Sequence, residues 1–221
     1  MAVLKRLVLV AARSRLILVR HGQSTFNAEH RIQGQLDPPL TDLGHQEAAA
    51  AATRFRADTV AGFYCSPLMR AHQTAAAIGR ALGREPERVP GLMEIWLGSW
   101  QGRTGAELAR EEPELWEQWT TFSSWDLVPG SEGRVRFTDR VSTTLHELWA
   151  RHPEGDVVCV THGGVVQVAL HEAIGRIPDG QFPFRIENAS ISVLITVRGR
   201  IVIAGANDVA HLSSLPVEVS H

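Results

Sequence analysis

Leu16-Ile17-Leu18-Val19-Arg20-His21-Gly22 runs four apolar residues into a basic pair and a glycine. The apolar part reads as a buried strand, and the glycine as the turn that ends it. In open α/β sheets, ligands bind just beyond the carboxyl ends of the strands. An arginine and a histidine delivered together to such a place point to anion chemistry, because the guanidinium is always charged and the imidazole titrates. Taken alone, the Arg-His-Gly triplet also fits a strand end dressed for solvent, so the surrounding sequence has to decide.

Working outward from this first run, taken as 15–20, further strand-like runs fall at 61–65, 156–161, 191–197 and 200–205. Helical patterns lie between them: 42–57, which Thr41 can cap, then 67–82, with Ser66 as cap, Pro67 in the first turn and Gly83 as terminator. Others follow at 103–111, 113–122, 134–151 and 164–175. This alternation predicts a three-layer α/β/α sandwich with a mainly parallel central sheet, its last two strands joined through Arg198-Gly199. No repeat or linker divides the chain, so 1–221 reads as one domain, with 1–13 an N-terminal extension or extra edge strand. Residues 94–134 hold Trp96, Trp100, Trp116, Trp119 and Trp125, five of the six tryptophans, and read as a small helical lid insertion. Trp116 and Trp119 lie three apart on one helical face, where they either pack this unit onto the sheet or wall a pocket.

At 221 residues, 44% hydrophobic and 21% charged, the chain can bury about 70% of its unfolded surface in one core. A formal net charge of -2 gives no field to attract nucleic acid or an anionic membrane, which leaves a small molecule as the expected partner. Cys65 and Cys159 sit in or beside apolar runs, so they read as buried thiols, and no spacing suits zinc. Lys5-Arg6 precede a short apolar stretch that Arg13 soon interrupts, which is a poor secretion signal. No later segment offers the ~18 uncharged apolar residues needed to span a bilayer, and a cytoplasmic enzyme is expected.

Four further segments join the first, making five in all: Arg20-His21-Gly22-Gln23-Ser24-Thr25-Phe26-Asn27; Arg31-Ile32-Gln33-Gly34 with Asp37, Pro39-Leu40-Thr41 and Gly44; Ser66-Pro67-Leu68-Met69-Arg70-Ala71 with Gln73-Thr74-Ala75; Leu92-Met93-Glu94 with Gly98, Trp100 and Gly102; and Val160-Thr161-His162-Gly163-Gly164. In this order they resemble the histidine phosphatase superfamily, the group of cofactor-dependent phosphoglycerate mutases and many small phosphatases. The likeness covers roughly residues 16 to 212, and it implies the phosphoglycerate mutase-like form of the sandwich. It also implies that His21 attacks phosphorus and becomes a phosphohistidine, while Arg20, Arg70 and a protonated His162 neutralise the phosphate. Glu94 takes the position of the acid that protonates the leaving oxygen and then serves as base for water. Asn27, Gln33, Gly34 and Gly163, with Arg20 and Arg70, are expected to contact substrate. Fixed guanidinium charges do the work that a magnesium ion does in other phosphoryl-transfer sites, so neither metal nor cofactor is expected.

Within that family the phosphohistidine passes its phosphoryl group either to water or to a second hydroxyl. Mutases typically follow the last-motif histidine with Gly-Asn, whereas His162 is followed by Gly163-Gly164, and Phe26 stands where mutases usually carry tryptophan. These departures favour a metal-independent phosphomonoesterase for a small phosphorylated metabolite over a 2,3-bisphosphoglycerate-dependent phosphoglycerate mutase. A non-catalytic phospho-ligand-binding protein is the third reading, and it predicts a damaged constellation. Arg103, Arg110, Arg134 and Arg136 are either contacts for a carboxylate-bearing substrate or ordinary surface charges, and a homodimer stays open.

Overall fold

The computed structural model describes residues 14–122, 124–176 and 183–215, so the extension or edge strand expected at 1–13 lies outside the described residues. In chain order the elements are β1 (Ser14–Arg20), α1 (Thr25–Ala28), α2 (Asp42–Ala52), β2 (Val60–Cys65), α3 (Met69–Leu82), β3 (Glu87–Arg88), α4 (Gly105–Glu111), α5 (Pro113–Phe122), α6 (Gly133–Ala150), β4 (Gly155–Thr161), α7 (Gly163–Ala173), β5 (Ile191–Val197) and β6 (Arg200–Asp208). The strands form one sheet in the order β3-β2-β4-β1-β5-β6. β3, β2, β4 and β1 run parallel, while β5 is antiparallel to β1 and β6 to β5. The sheet is therefore mixed, with an antiparallel edge where Arg198 and Gly199 turn at positive φ.

Alternation along the strands decides what each face buries. Leu16, Leu18, Val157 and Cys159 meet Phe137, Val141 and Leu145 of α6 and Val166 and Leu170 of α7. Ile17, Val19, Val158 and Val160 meet Ala71, Ala75, Ile78 and Leu82 of α3. Each such aliphatic side chain contributes roughly 1.5–3 kcal/mol by leaving water, and a one-residue slip would exchange the two faces, so the register is strongly specified. The outcome is the expected sandwich.

Two helix ends differ from their sequence expectations. α2 stops at Ala52 because Thr53 turns its hydroxyl back onto the Ala50 carbonyl at 2.7 Å and the next amides tighten onto Ala51 and Ala52. α3 begins at Met69, capped at Leu68 without a side-chain bond, rather than at Ser66-Pro67. The Ser66 hydroxyl lies instead 2.8 Å from Nε2 of His162. Between β3 and α6, α4 is opened by a Thr104–Glu107 capping box, and Trp100, Leu108 and Val128 form a small core against which Trp116 and Trp119 stack. Cys65 and Cys159 are free and buried, and burial pushes the Cys65 thiol up to about 12. Among the described residues no helix is long and apolar enough to cross a membrane.

Candidate active site

Three adjacent parallel strands, β2, β4 and β1, end side by side. The pairings Arg20 with Thr161 and Cys65 with Val160 bring His21, His162 and Ser66 together just past those ends. The two imidazoles stand with ring centroids 5.2 Å apart. The turn after His21 presses on the start of α2 so closely that a Cβ on Gly22 would strike the Gly44 carbonyl, and one on Gly44 the Gln23 carbonyl. Glycine at both positions is therefore a packing requirement. A cavity of about 310 Å³ opens over this region, at the small end of ligand sites. Its walls include Arg20, His21, Gln33, Gly34, Arg70, Glu94 and Gly163.

His21 is buried, and its Nδ1 lies 2.7 Å from the Gly22 carbonyl, an acceptor only. Nδ1 must therefore carry the hydrogen, which leaves a lone pair on Nε2, where Arg70 Nε donates at 3.2 Å. Burial first, then the charges of Arg70 and Arg20, hold this imidazole well below the usual histidine range. It is a neutral ring with its nucleophilic nitrogen fixed in direction. Arg70 is itself anchored, donating to the carbonyls of Leu36 at 2.7 Å and Gly34 at 2.8 Å. Burial lowers its pKa to about 10, still charged at neutral pH. Arg20 donates through Nη1 to the Ile186 carbonyl at 2.5 Å, while its Nε is buried without a partner. Nδ1 of His162 is likewise buried and unpartnered.

His162 corrects one expectation. The resemblance implies a protonated ring, but burial, then Arg70, His21 and Arg20, hold it well below the ordinary value of 6.5. In the free protein it is neutral, and a bound dianion is what would favour its proton. A stability consequence follows with a definite sign. Both histidines bind protons readily only when unfolded, so their contribution is complete above about pH 6.5 and is lost as pH falls below it, each by up to about 1.4 kcal/mol per pH unit. Urea unfolding between pH 7.5 and 5 is expected to show this loss, and His162→Asn to flatten it. Equal slopes in the two proteins would contradict the buried neutral ring.

Glu94 is held at both ends. Its carboxylate accepts from the amides of Ile95 and Gly164, each at 3.0 Å. A Cβ at position 164 would collide with Glu94 Oε1, so the second glycine of the His-Gly-Gly motif makes room for the acid. The Glu94 carbonyl accepts from Gln35 Nε2 at 3.0 Å and from Arg140 at 3.3 Å. Arg140, on α6, also donates to the carbonyls of Gly91 and Met93 at 3.0 and 2.9 Å and pairs with Glu132 at 2.6 Å. Glu132 in turn accepts from the Trp96 amide at 2.9 Å. This clamp fixes the 91–96 loop from outside the cavity.

Of the other residues singled out in the sequence, Gln33, Gly34 and Gly163 line the cavity, and Gly163 opens α7, whose amino end favours an anion. Asn27 does not line it. Its Oδ1 accepts from the Ser24 amide at 3.1 Å and from Asn188 Nδ2 at 3.2 Å, tying the 24–27 turn to the segment before β5. Arg103 pairs with Glu111 and Glu112, Arg110 with Glu111 and Arg134 with Asp126, and neither these three nor Arg136 lines the cavity. Among the five tryptophans of 94–134, Trp125 alone lines it. The sequence reading missed Gln167 and Ile186 as lining residues and Arg140 and Glu132 as the clamp.

A neutral strand-end imidazole beside two guanidinium groups, with a carboxyl in the same cavity and a second imidazole packed against the first, defines a phosphoryl-transfer site. The comparisons agree. A model of the histidine phosphatase superfamily (branch 1) matches residues 16–209. The chain is 33% identical over 203 residues to the metal-independent phosphoserine phosphatase of Arabidopsis thaliana, covering 90% of this chain and 84% of the relative. It is 37% identical over 176 residues to the glucosyl-3-phosphoglycerate phosphatase of Mycolicibacterium vanbaalenii, covering 76% and 77%. A solved mycobacterial glucosyl-3-phosphoglycerate phosphatase in complex with VO3 superposes with a TM-score of 0.77 at 32% identity, covering 87% of this chain and 98% of that one. The chain belongs to the histidine phosphatase superfamily, branch 1.

Proposed function

We propose that the protein is a metal-independent phosphomonoesterase that hydrolyses a small phosphorylated metabolite through a phosphohistidine on His21. The observation that carries this reading is the convergence in one cavity of the oriented Nε2 of His21, the Arg70 fork and the unpartnered buried Nε of Arg20, with His162, whose Nδ1 is also unpartnered, packed behind them against the His21 ring. Such atoms are costly without a partner, and phosphate oxygens supply one.

In the first step His21 Nε2 bonds to phosphorus as the ester P–O bond breaks, and Glu94 gives its proton to the departing oxygen. In the second, water attacks phosphorus, Glu94 takes back a proton, and the P–N bond breaks to release inorganic phosphate. Arg20, Arg70 and His162 hold the equatorial oxygens, where charge must be stabilised throughout. Gln33 and Gly163 border the same oxygens, Gly34 contributes through its hold on Arg70, and Asn27 steadies the turn behind them.

Relatives named for phosphoserine and glucosyl-3-phosphoglycerate support a small phosphoester as substrate. Free buried thiols support a reducing, cytoplasmic setting, and we carry a homodimer with this reading, which sedimentation velocity tests. The deciding experiment is a phosphorus NMR time course in EDTA with phosphoserine and with 3-phosphoglycerate, the latter with and without 2,3-bisphosphoglycerate. Inorganic phosphate without 2-phosphoglycerate is expected. Bisphosphoglycerate-dependent 2-phosphoglycerate would make the protein a mutase, and activity that EDTA abolishes would overturn the metal-free mechanism.

A further inference from the structure

One polar residue of the cavity wall takes no part in the chemistry above. Gln167 lies on α7 one turn beyond Gly163 and Gly164, lines the same cavity and is 6% exposed. Its Nε2 donates to the Phe184 carbonyl at 2.5 Å, which settles the amide's orientation and leaves Oε1 as the other end. That Oε1 is buried and has no hydrogen-bond partner. A buried carbonyl without a donor is disfavoured, and proteins rarely leave one so unless a ligand completes it.

What surrounds Gln167 narrows the ligand. Ile95, Leu97, Trp125 and Ile186 give the cavity apolar walls, and among the described lining residues the cations are Arg20 and Arg70, both at the phosphate end. Gln167 therefore offers an unpaired neutral acceptor close to these carbon atoms. We propose that Gln167 Oε1 is a specificity determinant, accepting a hydrogen bond from a hydroxyl or ammonium group on the substrate's alcohol portion. The enzyme would then select phosphomonoesters whose leaving group carries a second donor. The inference rests on the phosphomonoesterase reading and names the substrate class of that same site. An aliphatic ester of equal size fills the walls but leaves Oε1 unpaired, which is the arrangement by which polar sites reject apolar analogues.

The test compares kcat/KM for 2-hydroxyethyl phosphate and ethanolamine phosphate with that for n-propyl phosphate, in the wild type, Gln167→Met and Gln167→Glu. p-Nitrophenyl phosphate reports phosphatase turnover in the wild type independently. The wild type is expected to prefer the donor-bearing esters by about tenfold, the value of one neutral hydrogen bond. In Gln167→Met, with thermal melting to verify folding, that ratio should fall towards one. Gln167→Glu keeps the acceptor and adds charge, so it should raise the ammonium ester over the hydroxyl ester and thereby separate the two donors. Wild-type turnover of p-nitrophenyl phosphate with no preference among the three alkyl esters, or a preference that both variants leave intact, would overturn the role of Gln167 alone. No wild-type turnover of any ester would overturn the phosphatase reading and this inference with it.

Discussion

His21→Ala is expected to lose at least about a thousandfold in turnover and every trace of acid-labile protein phosphate. The magnitude follows from how completely the site is arranged around one nitrogen. The Gly22 carbonyl takes the Nδ1 hydrogen, and burial with Arg70 and Arg20 keeps the ring unprotonated, so Nε2 is a nucleophile at neutral pH without a separate base. Alanine removes that nitrogen and leaves the guanidinium groups, so phosphate or vanadate should still bind. Rapid acid-sensitive labelling with a ³²P ester measures the intermediate, and turnover retained at even a tenth of the wild-type rate would sink the covalent mechanism.

Glu94→Gln is expected to slow phosphorylation of the enzyme by alkyl esters about 10²- to 10⁴-fold, the usual contribution of a general acid. An alkoxide leaves phosphorus poorly unless protonated, whereas nitrophenolate departs without help. The burst phase with p-nitrophenyl phosphate should therefore fall by less than about tenfold, while the following hydrolysis slows because the base is gone. Phosphohistidine then accumulates. Rapid quench resolves both steps, and equal loss of the burst rate for alkyl and nitrophenyl esters would show that Glu94 acts only as a structural support. Its hydrogen bonds to Ile95 and Gly164 make such support the competing explanation, which is why the leaving-group comparison is needed.

The residues legible in the sequence share a physical property: each is announced by its neighbours in the chain. Arg20-His21-Gly22 and His162-Gly163-Gly164 follow apolar runs that could only be buried strands, and Arg70 follows a proline-containing helix entry. The layers were legible for the same reason, since periods of two and of 3.6 residues are local signals. What stayed hidden depends on partners distant in the chain. Ser66 has the look of a helix cap, and its bond to His162 exists only because β2 lies beside β4. Asn27 has the look of a phosphate ligand, yet Ser24 and Asn188 occupy its oxygen. Gln167 is the one polar residue in the run Val165–Leu170 of its helix, and nothing in its spacing reveals a cavity. The charge on His162 was misjudged because chemistry alone asks for a cation there, while burial, and then four other basic groups, oppose it.

The clamp on the acid-bearing loop bears on how this enzyme can be altered. Glu132 lies within the 94–134 stretch that supplies part of the cavity wall, and Arg140 lies beyond it. A chimaera that borrows this stretch from a relative to borrow its selectivity would cut the pair, and with it the fixing of the Gly91, Met93 and Glu94 carbonyls. The loop that carries Glu94 and the part of the cavity wall drawn from this stretch are thus inherited as one cassette, whose downstream border falls after Arg140.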